Sequence, residues 1–571
     1  MSNRPTIMGT RHVVAAGHYL AAHAGFEILE AGGNAVDAGV AAGIAVGILQ
    51  PDKVSFGGVA PTIVFEAKSR QIHNIDGLGV WPQAVTPDYF ARHHGGKIPV
   101  GVLRCVVPAA PDAWITALER FGTMSFSDVA SHALRFARDG FPMYPLMAEF
   151  VGANLATFQR WPSTAKVMLH KGQAYAPGER FVQSDLGRTL QYMMDAERAA
   201  KRKGRKAGLK AARDAFYKGD IARTIVRFIE REGGLMRMED FADFAVKFEP
   251  TVKVRFGNID VHCCGPWSQG PTVAMALNLL AGYDLKAMGH NSVEYIHVVT
   301  EALKLAFADR HQHFGDPAFV KVPMRGLMSK SYTDHRRGMI RADRAWPEMP
   351  PAGDPATLAD LPNRWMTEPQ PGDAPGPGDT TYVCVIDRHG NAFSATPSDG
   401  STGTPIVPGV GIVCSGRGTQ SWGDPTHPCA PAPGKRPRLT PNPALAVRGG
   451  KALMPFGTPG GDVQPQAMVQ VFLNVHVFGM AVQDAIEAPR FAGYSYPGSF
   501  EPHEYFPGRL CLEGRIAKPV GEGLARLGHQ VYWWDDWTWL AGAPCTIVAD
   551  HKRGVLHGGA DPRRPAYVLG W

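Results

Sequence analysis

Thr380 is the residue whose position in the sequence most suggests chemistry. It stands where a proline-rich stretch, 346–379, gives way to a strand-like run, 380–387. A threonine hydroxyl is a weak nucleophile unless a base lies beside it. If the chain were cut before Thr380, the freed α-amine, with a pKa of about 8, would be that base. An ordinary strand that begins at a threonine gives the same pattern, and the local sequence alone favours that simpler interpretation.

A glycine-rich turn is the second feature that could take part in chemistry. Consecutive glycines let the backbone approach a ligand closely and present successive N–H groups, as the stabilisation of an oxyanion requires. No Lys-Ser or Lys-Thr follows, so the turn is not a phosphate-binding loop. A tight turn between two strands is the simpler alternative. The turn has the sequence Gly457-Thr458-Pro459-Gly460-Gly461-Asp462.

The elements that must position these residues follow from hydrophobic periodicity and from turn residues. The stretch 346–379 holds nine prolines in 34 residues, so we expect an exposed, extended and mobile loop there. The other predicted elements are two buried helices within 18–49 joined at 31–34, strands near 59–65 and 72–75, helices at 111–120, 126–138 and 291–310, a strand at 252–261, and a hairpin of 380–387 and 392–396.

Composition limits the class of protein. The chain has 571 residues, 44% of them hydrophobic and 19% charged, so it can bury a large core. Its net charge of +7 comes from the segment 197–213, outside which acidic and basic residues are equal in number. A general surface for nucleic acid or anionic membrane is therefore not supported, and we expect one basic surface helix at 197–213. Nucleic-acid binding by that helix alone would be weak and sensitive to salt.

Cysteine usage and hydropathy indicate a reduced, cytoplasmic protein. Eight cysteines without a C-x-x-C motif do not form a disulfide scaffold or a zinc site. Residues 1–15 lack the apolar core of a signal peptide, and no apolar run is long enough to span a membrane. We expect no metal and no cofactor. His311 and His313 are two apart on a predicted helix and point apart, so we expect structural roles for them. The aromatic run 532–539 could line a substrate pocket, although core or interface packing is the preferred interpretation.

Short motifs along nearly the whole chain resemble the γ-glutamyltransferase family of N-terminal-nucleophile hydrolases. Each motif is weak alone, but together they occur in the family order. They are Gly32-Gly33-Asn34-Ala35-Val36-Asp37-Ala38, Phe121-Gly122-Thr123-Met124, Ala137-Arg138-Asp139-Gly140-Phe141, Phe216-Tyr217-Lys218-Gly219, Phe307-Ala308-Asp309-Arg310, Gly315-Asp316-Pro317, Gly378-Asp379-Thr380-Thr381, Lys435-Arg436-Pro437, Pro459-Gly460-Gly461, Ala488-Pro489-Arg490-Phe491 and Asp561-Pro562-Arg563.

The resemblance implies an α/β fold, a four-layer αββα sandwich, and self-cleavage between Asp379 and Thr380. The products would be a large subunit, 1–379, ending in the 346–379 loop, and a small subunit, 380–571. The resemblance implies that these subunits stay associated and leaves open a dimer of such heterodimers. It makes Thr380 the nucleophile for an amide substrate.

The resemblance also assigns the groups that assist Thr380. Ser398 takes the place of the family's hydroxyl that hydrogen-bonds the nucleophile. The N–H groups of Gly460 and Gly461 would stabilise the oxyanion.

The sequence departs from the family pattern on the substrate side. Leu78 occupies the place of the arginine that pairs with the substrate α-carboxylate, and Gly400 replaces an asparagine that helps to hold the α-amino group. No acid stands near 417–419, and Leu439-Thr440 replaces a serine pair. We therefore expect an amidohydrolase or acylase for a small, acidic amide. Arg417 or Arg438 is the hypothesised carboxylate partner, the alternative being a surface or interface arginine.

Two other functions remain open at this point. The first is a true γ-glutamyltransferase and glutathione hydrolase that transfers γ-glutamyl groups to amino acids or peptides. The second, from another class, is an unprocessed, non-catalytic binding protein on the same fold.

Overall fold

Two antiparallel seven-stranded sheets form the centre of the computed structural model, which describes residues 2–371 and 380–571. In order across the first sheet, the strands are Ile7–Gly9, Val555–Ala560, Cys545–Asp550, Lys451–Gly457, Ala444–Arg448, Ile259–Cys263 and Val252–Phe256. In order across the second sheet, they are Phe248–Glu249, Gln71–Ile75, Thr62–Glu66, Ala392–Ala395, Val383–Ile386, Val13–Ala16 and Tyr567–Gly570.

The strand Val383–Ile386 shows why the sheets stack. All four of its residues are buried, as expected for a strand that is covered on both faces. Cys384 and Ile386 belong to the apolar cluster between the two sheets, whereas Val383 and Val385 pack on the outer side with the helices. Because successive side chains of a strand point to opposite faces, this continuous apolar run serves two separate cores.

Helices cover the outer face of each sheet and complete four layers, which confirms the predicted αββα sandwich. On the second sheet lie Tyr19–Glu30 and Ala35–Leu49, backed by Ala110–Phe121, Phe126–Asp139, Ser184–Ala200 and Arg205–Tyr217. On the first sheet lie Gly270–Leu280, Val463–His476 and Val482–Glu487, with Val293–His313 packed on Gly270–Leu280.

Shorter elements connect these layers. The remaining α-helices are Tyr89–His94, Pro145–Ala153, Leu155–Gln159, Pro162–Met168, Asp220–Arg231, Met238–Ala242, Leu285–Met288, Met324–Leu327, Lys330–Arg337 and Lys518–Arg526. The small sheets pair Phe141–Pro142 with Arg180–Phe181, Leu169–His170 with Gln173–Ala174, Ala352–Gly353 with Asp360–Leu361, Val54–Val59 with Ser398–Asp399, and Arg509–Glu513 with both Phe491–Gly493 and Gln530–Trp534.

The junction between the first two helices forms as the sequence predicts. The Asn34 side chain accepts hydrogen bonds from the N–H groups of Val36 and Asp37, and the Asp37 carboxylate accepts one from Asn34 N. This reciprocal cap satisfies the N–H groups that begin Ala35–Leu49.

The single strand predicted at 252–261 is wrong. The segment is a hairpin of Val252–Phe256 and Ile259–Cys263, with Gly257 in the turn at φ = 58°. Glycine followed by Asn258 suits a two-residue hairpin turn, and the alternation of apolar and polar residues continues on its far side. Alternation alone therefore does not show where the chain reverses.

The proline-rich stretch contains no helix over its described part, 346–371. Its predicted exposure is nevertheless wrong near the start, since Ala352 and Gly353 are buried. Gly353 N–H donates to the Asp309 carboxylate at 2.9 Å, which fixes the segment to the helix Val293–His313. The prediction for 372–379 lies outside the described residues.

The basic segment 197–213 is not one surface helix. It spans the end of Ser184–Ala200, a short turn, and most of Arg205–Tyr217. Glu197 is buried and accepts hydrogen bonds at the start of a neighbouring helix, and Arg213 pairs with a buried aspartate. The positive charge is therefore spread over a helical corner, and part of it anchors that corner.

The aromatic run at 532–539, for which packing in the core or at an interface was predicted, lies at the surface and not in the core. Tyr532, Trp533 and Trp537 are each 37–39% exposed. Trp533 lies under Lys518 and Trp537 under Arg515, with the cations 3.5 and 3.6 Å from the ring centres. Packing at an interface stays a prediction.

None of the helices in the described ranges is long and apolar enough to cross a membrane.

Candidate active site

Thr380 lies just before the strand Val383–Ile386, and its side chain is fully buried. Its backbone forms an antiparallel bridge with Ser398, and Thr380 Oγ1 lies 2.8 Å from Ser398 Oγ. Strands Val13–Ala16 and Ala392–Ala395 flank Val383–Ile386 on its two sides. The Thr380 hydroxyl is thus held at the end of a central strand with a second hydroxyl against it.

Arg417 orients the Ser398 hydroxyl. Its guanidinium donates to Ser398 Oγ, and its Nε lies 2.8 Å from Asp399 Oδ1. Its Nη1 also reaches Thr440 Oγ1 at 3.4 Å. Burial raises the pKa of Asp399 above its ordinary value, while the Arg417 charge offsets part of that effect. Because a guanidinium only donates hydrogen bonds, the Ser398 oxygen is fixed as an acceptor toward Arg417 and lies beside Thr380.

The backbone after Ser398 is distorted at this point. Asp399 has φ = 91°, a region that favours glycine, and the pairing register shifts between Ser398 and Asp399. The distortion lets the Asp399 carboxylate accept from Ser415 Oγ at 2.6 Å as well as from Arg417. A Cβ on the next residue, Gly400, would lie 2.0 Å from the Asp52 carbonyl oxygen. Glycine is therefore needed at 400 for close backbone packing.

The glycine turn lies between the strand Lys451–Gly457 and the helix Val463–His476. Gly460 and Gly461 have φ of 127° and 54°. The Gly460 carbonyl accepts from Val463 N at 2.9 Å, and the Gly461 carbonyl accepts from Gln269 Nε2 at 2.8 Å. No acceptor in the described residues takes the N–H of either glycine. Both groups are therefore available to a bound oxyanion.

A buried ion pair holds this turn from behind. Arg310, on the helix Val293–His313, bonds the Asp462 carboxylate and also reaches Gln269 Oε1 at 3.0 Å and Ser499 Oγ at 3.1 Å. Burial acts to raise the pKa of Asp462, but the Arg310 charge and the bonds from Ser499 outweigh it, so this pKa lies below its usual range. Asp462 therefore remains a carboxylate and fixes the end of the turn.

A cavity of about 320 Å³ opens onto these groups. Its lining includes Asp399, Gly400 and Arg417, together with Gly460 and Gly461. An aromatic wall completes it, formed by Tyr494, Tyr496, Phe500 and Phe506. Gly460 and Gly461 thus share one small pocket with Arg417 and an aromatic wall, whereas Thr380 and Ser398 do not line it.

Residues 21–571 of this chain match the family model described as Gamma-glutamyltranspeptidase. The chain belongs to the gamma-glutamyltranspeptidase family. It is 31% identical over 570 residues to the glutathione hydrolase-like YwrD proenzyme of Bacillus subtilis (strain 168), with 99% of each chain covered. It is also 31% identical over 537 residues to the acylase ACY 1 proenzyme of Pseudomonas sp. (strain V22), with 92% of this chain and 88% of the relative covered.

A solved structure supports the same assignment. The crystal structure of cephalosporin acylase from Bacillus halodurans matches with a TM-score of 0.86 at 27% identity, over 100% of this chain and 98% of the other. Members of the gamma-glutamyltranspeptidase family are autoprocessed proenzymes that use a threonine nucleophile. The chain is accordingly an autoprocessed amidohydrolase of this family.

The structure brings most of the sequence-predicted site residues of this family member together. Thr380 and Ser398 are in contact, and Gly460 and Gly461 line the cavity with Gly400 and Arg417. Thr440 lies behind Arg417, where its hydroxyl also accepts from Gln420 Nε2 at 2.8 Å. Asp379 lies outside the described residues.

Four of the predicted substrate residues do not line the cavity, one of them Thr440, which lies behind Arg417. Leu78 and Leu439 are buried in the apolar cluster between the sheets. Arg438 is buried behind the site, where its Nη1 donates to the Arg310 carbonyl at 3.3 Å, and burial lowers its pKa to about 10. Leu78, Leu439 and Arg438 pack inside the fold and away from the cavity, so their positions do not support a direct contact with substrate.

Sequence reasoning missed other residues of the cavity. Arg104 and Glu501 line it, as do the aromatic residues of the segment 494–506. The density of aromatic residues at 494–506 was a usable signal. Nothing in the local sequence distinguishes Arg104, because its position in the site depends on long-range packing.

Histidine groups with metal-ligand spacing lie elsewhere in the described residues. His311 and His313 each contact a backbone carbonyl, at 3.0 and 2.9 Å. Two other groups, His23 with Glu27 and His132 and the buried His297 with Glu301 and His529, have ligand atoms within 4.8 Å of one another. In the buried group, Lys304 lies 2.8 Å from Glu301 and already supplies a positive charge.

Proposed function

We propose that Thr380 is the nucleophile of this enzyme and that its substrate is a small amide with an acidic acyl group. The observation that carries the proposal is the 2.8 Å contact between Thr380 Oγ1 and Ser398 Oγ, beside the cavity lined by Gly460 and Gly461. The nucleophile, the residue that orients it and the oxyanion donors would then act on one bound carbonyl.

The first reaction would be self-cleavage. Thr380 Oγ attacks the carbonyl carbon of Asp379, the Asp379–Thr380 C–N bond breaks, and an ester forms while the Thr380 nitrogen gains a proton as an α-amine. Water then hydrolyses the ester and leaves a carboxyl group on Asp379. The products are a large subunit, 1–379, and a small subunit, 380–571. Association of the two is favoured because Val383–Ile386 pairs with Val13–Ala16 in one sheet.

The second reaction would use the new α-amine. It accepts the proton of the Thr380 hydroxyl while Oγ attacks the substrate amide. The N–H groups of Gly460 and Gly461 stabilise the tetrahedral oxyanion, a contribution of about 3–4 kcal/mol for each donor. The C–N bond breaks, the amine leaves with a proton, and water hydrolyses the acyl ester on Thr380.

Acid-quenched turnover with peptide mass mapping tests this proposal. Glutaryl-p-nitroanilide is the acidic substrate, and γ-glutamyl-p-nitroanilide with glycylglycine tests transfer. We expect a glutaryl group on the peptide that begins at Thr380 and faster release of p-nitroaniline from the glutaryl substrate. A preference for the γ-glutamyl substrate with transfer to glycylglycine would instead select the γ-glutamyltransferase function. Turnover with the acyl group on another residue would overturn the role of Thr380.

A further inference from the structure

Arg104 places an open cationic group in the candidate active site. It ends the short turn Val102–Arg104, and it is only 8% exposed. Its Nε donates to the Pro99 carbonyl at 2.8 Å and its Nη2 donates to the Ile98 carbonyl at 2.9 Å. These two bonds fix the plane of the guanidinium. Its Nη1 has no hydrogen-bond acceptor within residues 2–371 and 380–571, although Arg104 lines the cavity.

Small residues leave this group accessible from the cavity. A Cβ built on Gly403 would lie 3.5 Å from Arg104 Nη1, and one built on Gly416 would lie 3.8 Å from Arg104 Cδ. Both glycines also line the cavity. Side chains at either position would therefore pack against the guanidinium and cover it.

The other arginines at this site already have carboxylate partners. Arg417 pairs with Asp399, and Arg310 pairs with Asp462. Arg104 forms no ion pair with any acid among the described residues. The cavity-lining acid that acts on its charge is Glu501, whose own pKa is raised by burial. Arg104 therefore differs from its neighbours in having donors directed at the cavity without a carboxylate on them.

We infer that Arg104 binds the carboxylate of the acyl group and so determines the preference of the enzyme for acidic amides. This inference rests on the proposed function. Nη1 carries two N–H donors, and a guanidinium forms strong, charge-assisted bonds with a carboxylate. The apolar wall, with Phe500 and Phe506, suits the methylene chain between that carboxylate and the amide.

The test compares Arg104→Met with a matched control, Arg205→Met. Arg205 also donates to two backbone carbonyls, those of Met124 at 2.9 Å and Leu118 at 2.6 Å, but it does not line the cavity. Each variant is assayed with glutaryl-p-nitroanilide and with its neutral methyl ester. We expect the ratio of kcat/KM for acid over ester to fall about tenfold or more in Arg104→Met, mainly through KM. The ratio should be unchanged in Arg205→Met.

A second variant tests the same charge relation in the opposite direction. Glu501→Gln removes the cavity acid whose charge acts on Arg104, so the ratio of kcat/KM for acid over ester should rise. An acid-to-ester ratio that is the same in wild type and Arg104→Met would overturn the inference, provided that both cleave into two subunits. If wild type itself hydrolyses neither substrate, or if Thr380→Ala retains turnover, the proposed function fails instead.

Discussion

Substitution of Ser398 by alanine tests how the site activates Thr380. The Ser398 hydroxyl lies 2.8 Å from Thr380 Oγ1 and accepts from Arg417. The contact with Thr380 is worth about 0.5–1.5 kcal/mol as a neutral hydrogen bond, and polarisation by the Arg417 charge adds to it. Arg417 keeps Asp399 at 2.8 Å and Thr440 at 3.4 Å, so it is not left unpaired.

The expected effect is therefore about 2 kcal/mol on the activation barrier, which corresponds to about 30-fold slower chemistry. The assay measures the rate of subunit formation on denaturing gels and kcat for glutaryl-p-nitroanilide. Ser398→Thr keeps the hydroxyl and should stay close to wild type. Ser401→Ala is the matched control, because Ser401 is equally buried and its hydroxyl bonds only the Pro51 carbonyl, at 2.9 Å, among the described residues. Equal rates for Ser398→Ala and Ser401→Ala would refute this reasoning.

Two further predictions concern stability. Arg310→Met leaves Asp462 buried without its cation, which should lower the free energy of unfolding in urea by about 3–5 kcal/mol. The control Lys330→Met breaks an exposed pair with Asp334 and should change this free energy by less than about 1 kcal/mol. Similar losses in the two variants would contradict the prediction. Burial lowers the pKa of His18 to about 3, whereas a histidine in the unfolded chain has a pKa of about 6.5. Between these values the unfolded chain binds more protons than the folded protein. The free energy of unfolding should therefore fall as the pH drops below 6.5, by about 2 kcal/mol at pH 5. His18→Asn keeps a side-chain acceptor for Leu20 N without titrating, and acid unfolding as steep as in wild type would be inconsistent with this cause.

The parts of the site that depend on local backbone were predictable from the sequence. The turn at Gly460 and Gly461 could be predicted because glycine and proline favour turns over regular helix or strand. The order of family motifs around Thr380 then indicated the sheet that carries it. The cap at Asn34 was predictable for the same reason, since its hydrogen bonds are made within four residues.

The parts that depend on long-range packing were not predictable. Arg104 enters the cavity because the loop at 98–104 packs against the segment 400–417, far away in the sequence. Arg438 follows a family motif yet points behind the site, toward the Arg310 carbonyl. The sequence predicted that Leu78 takes the place of a family arginine, but nothing in it indicated that Arg104 lines the cavity.

The intact masses of purified wild type and Thr380→Ala test the central claim most directly. We expect two wild-type species with the masses of residues 1–379 and 380–571, and one full-length species for Thr380→Ala. Thr380→Ser should still cleave, because it keeps a hydroxyl on the same strand. Cleavage of Thr380→Ala at the same bond, or a wild-type boundary elsewhere in the chain, would contradict the account.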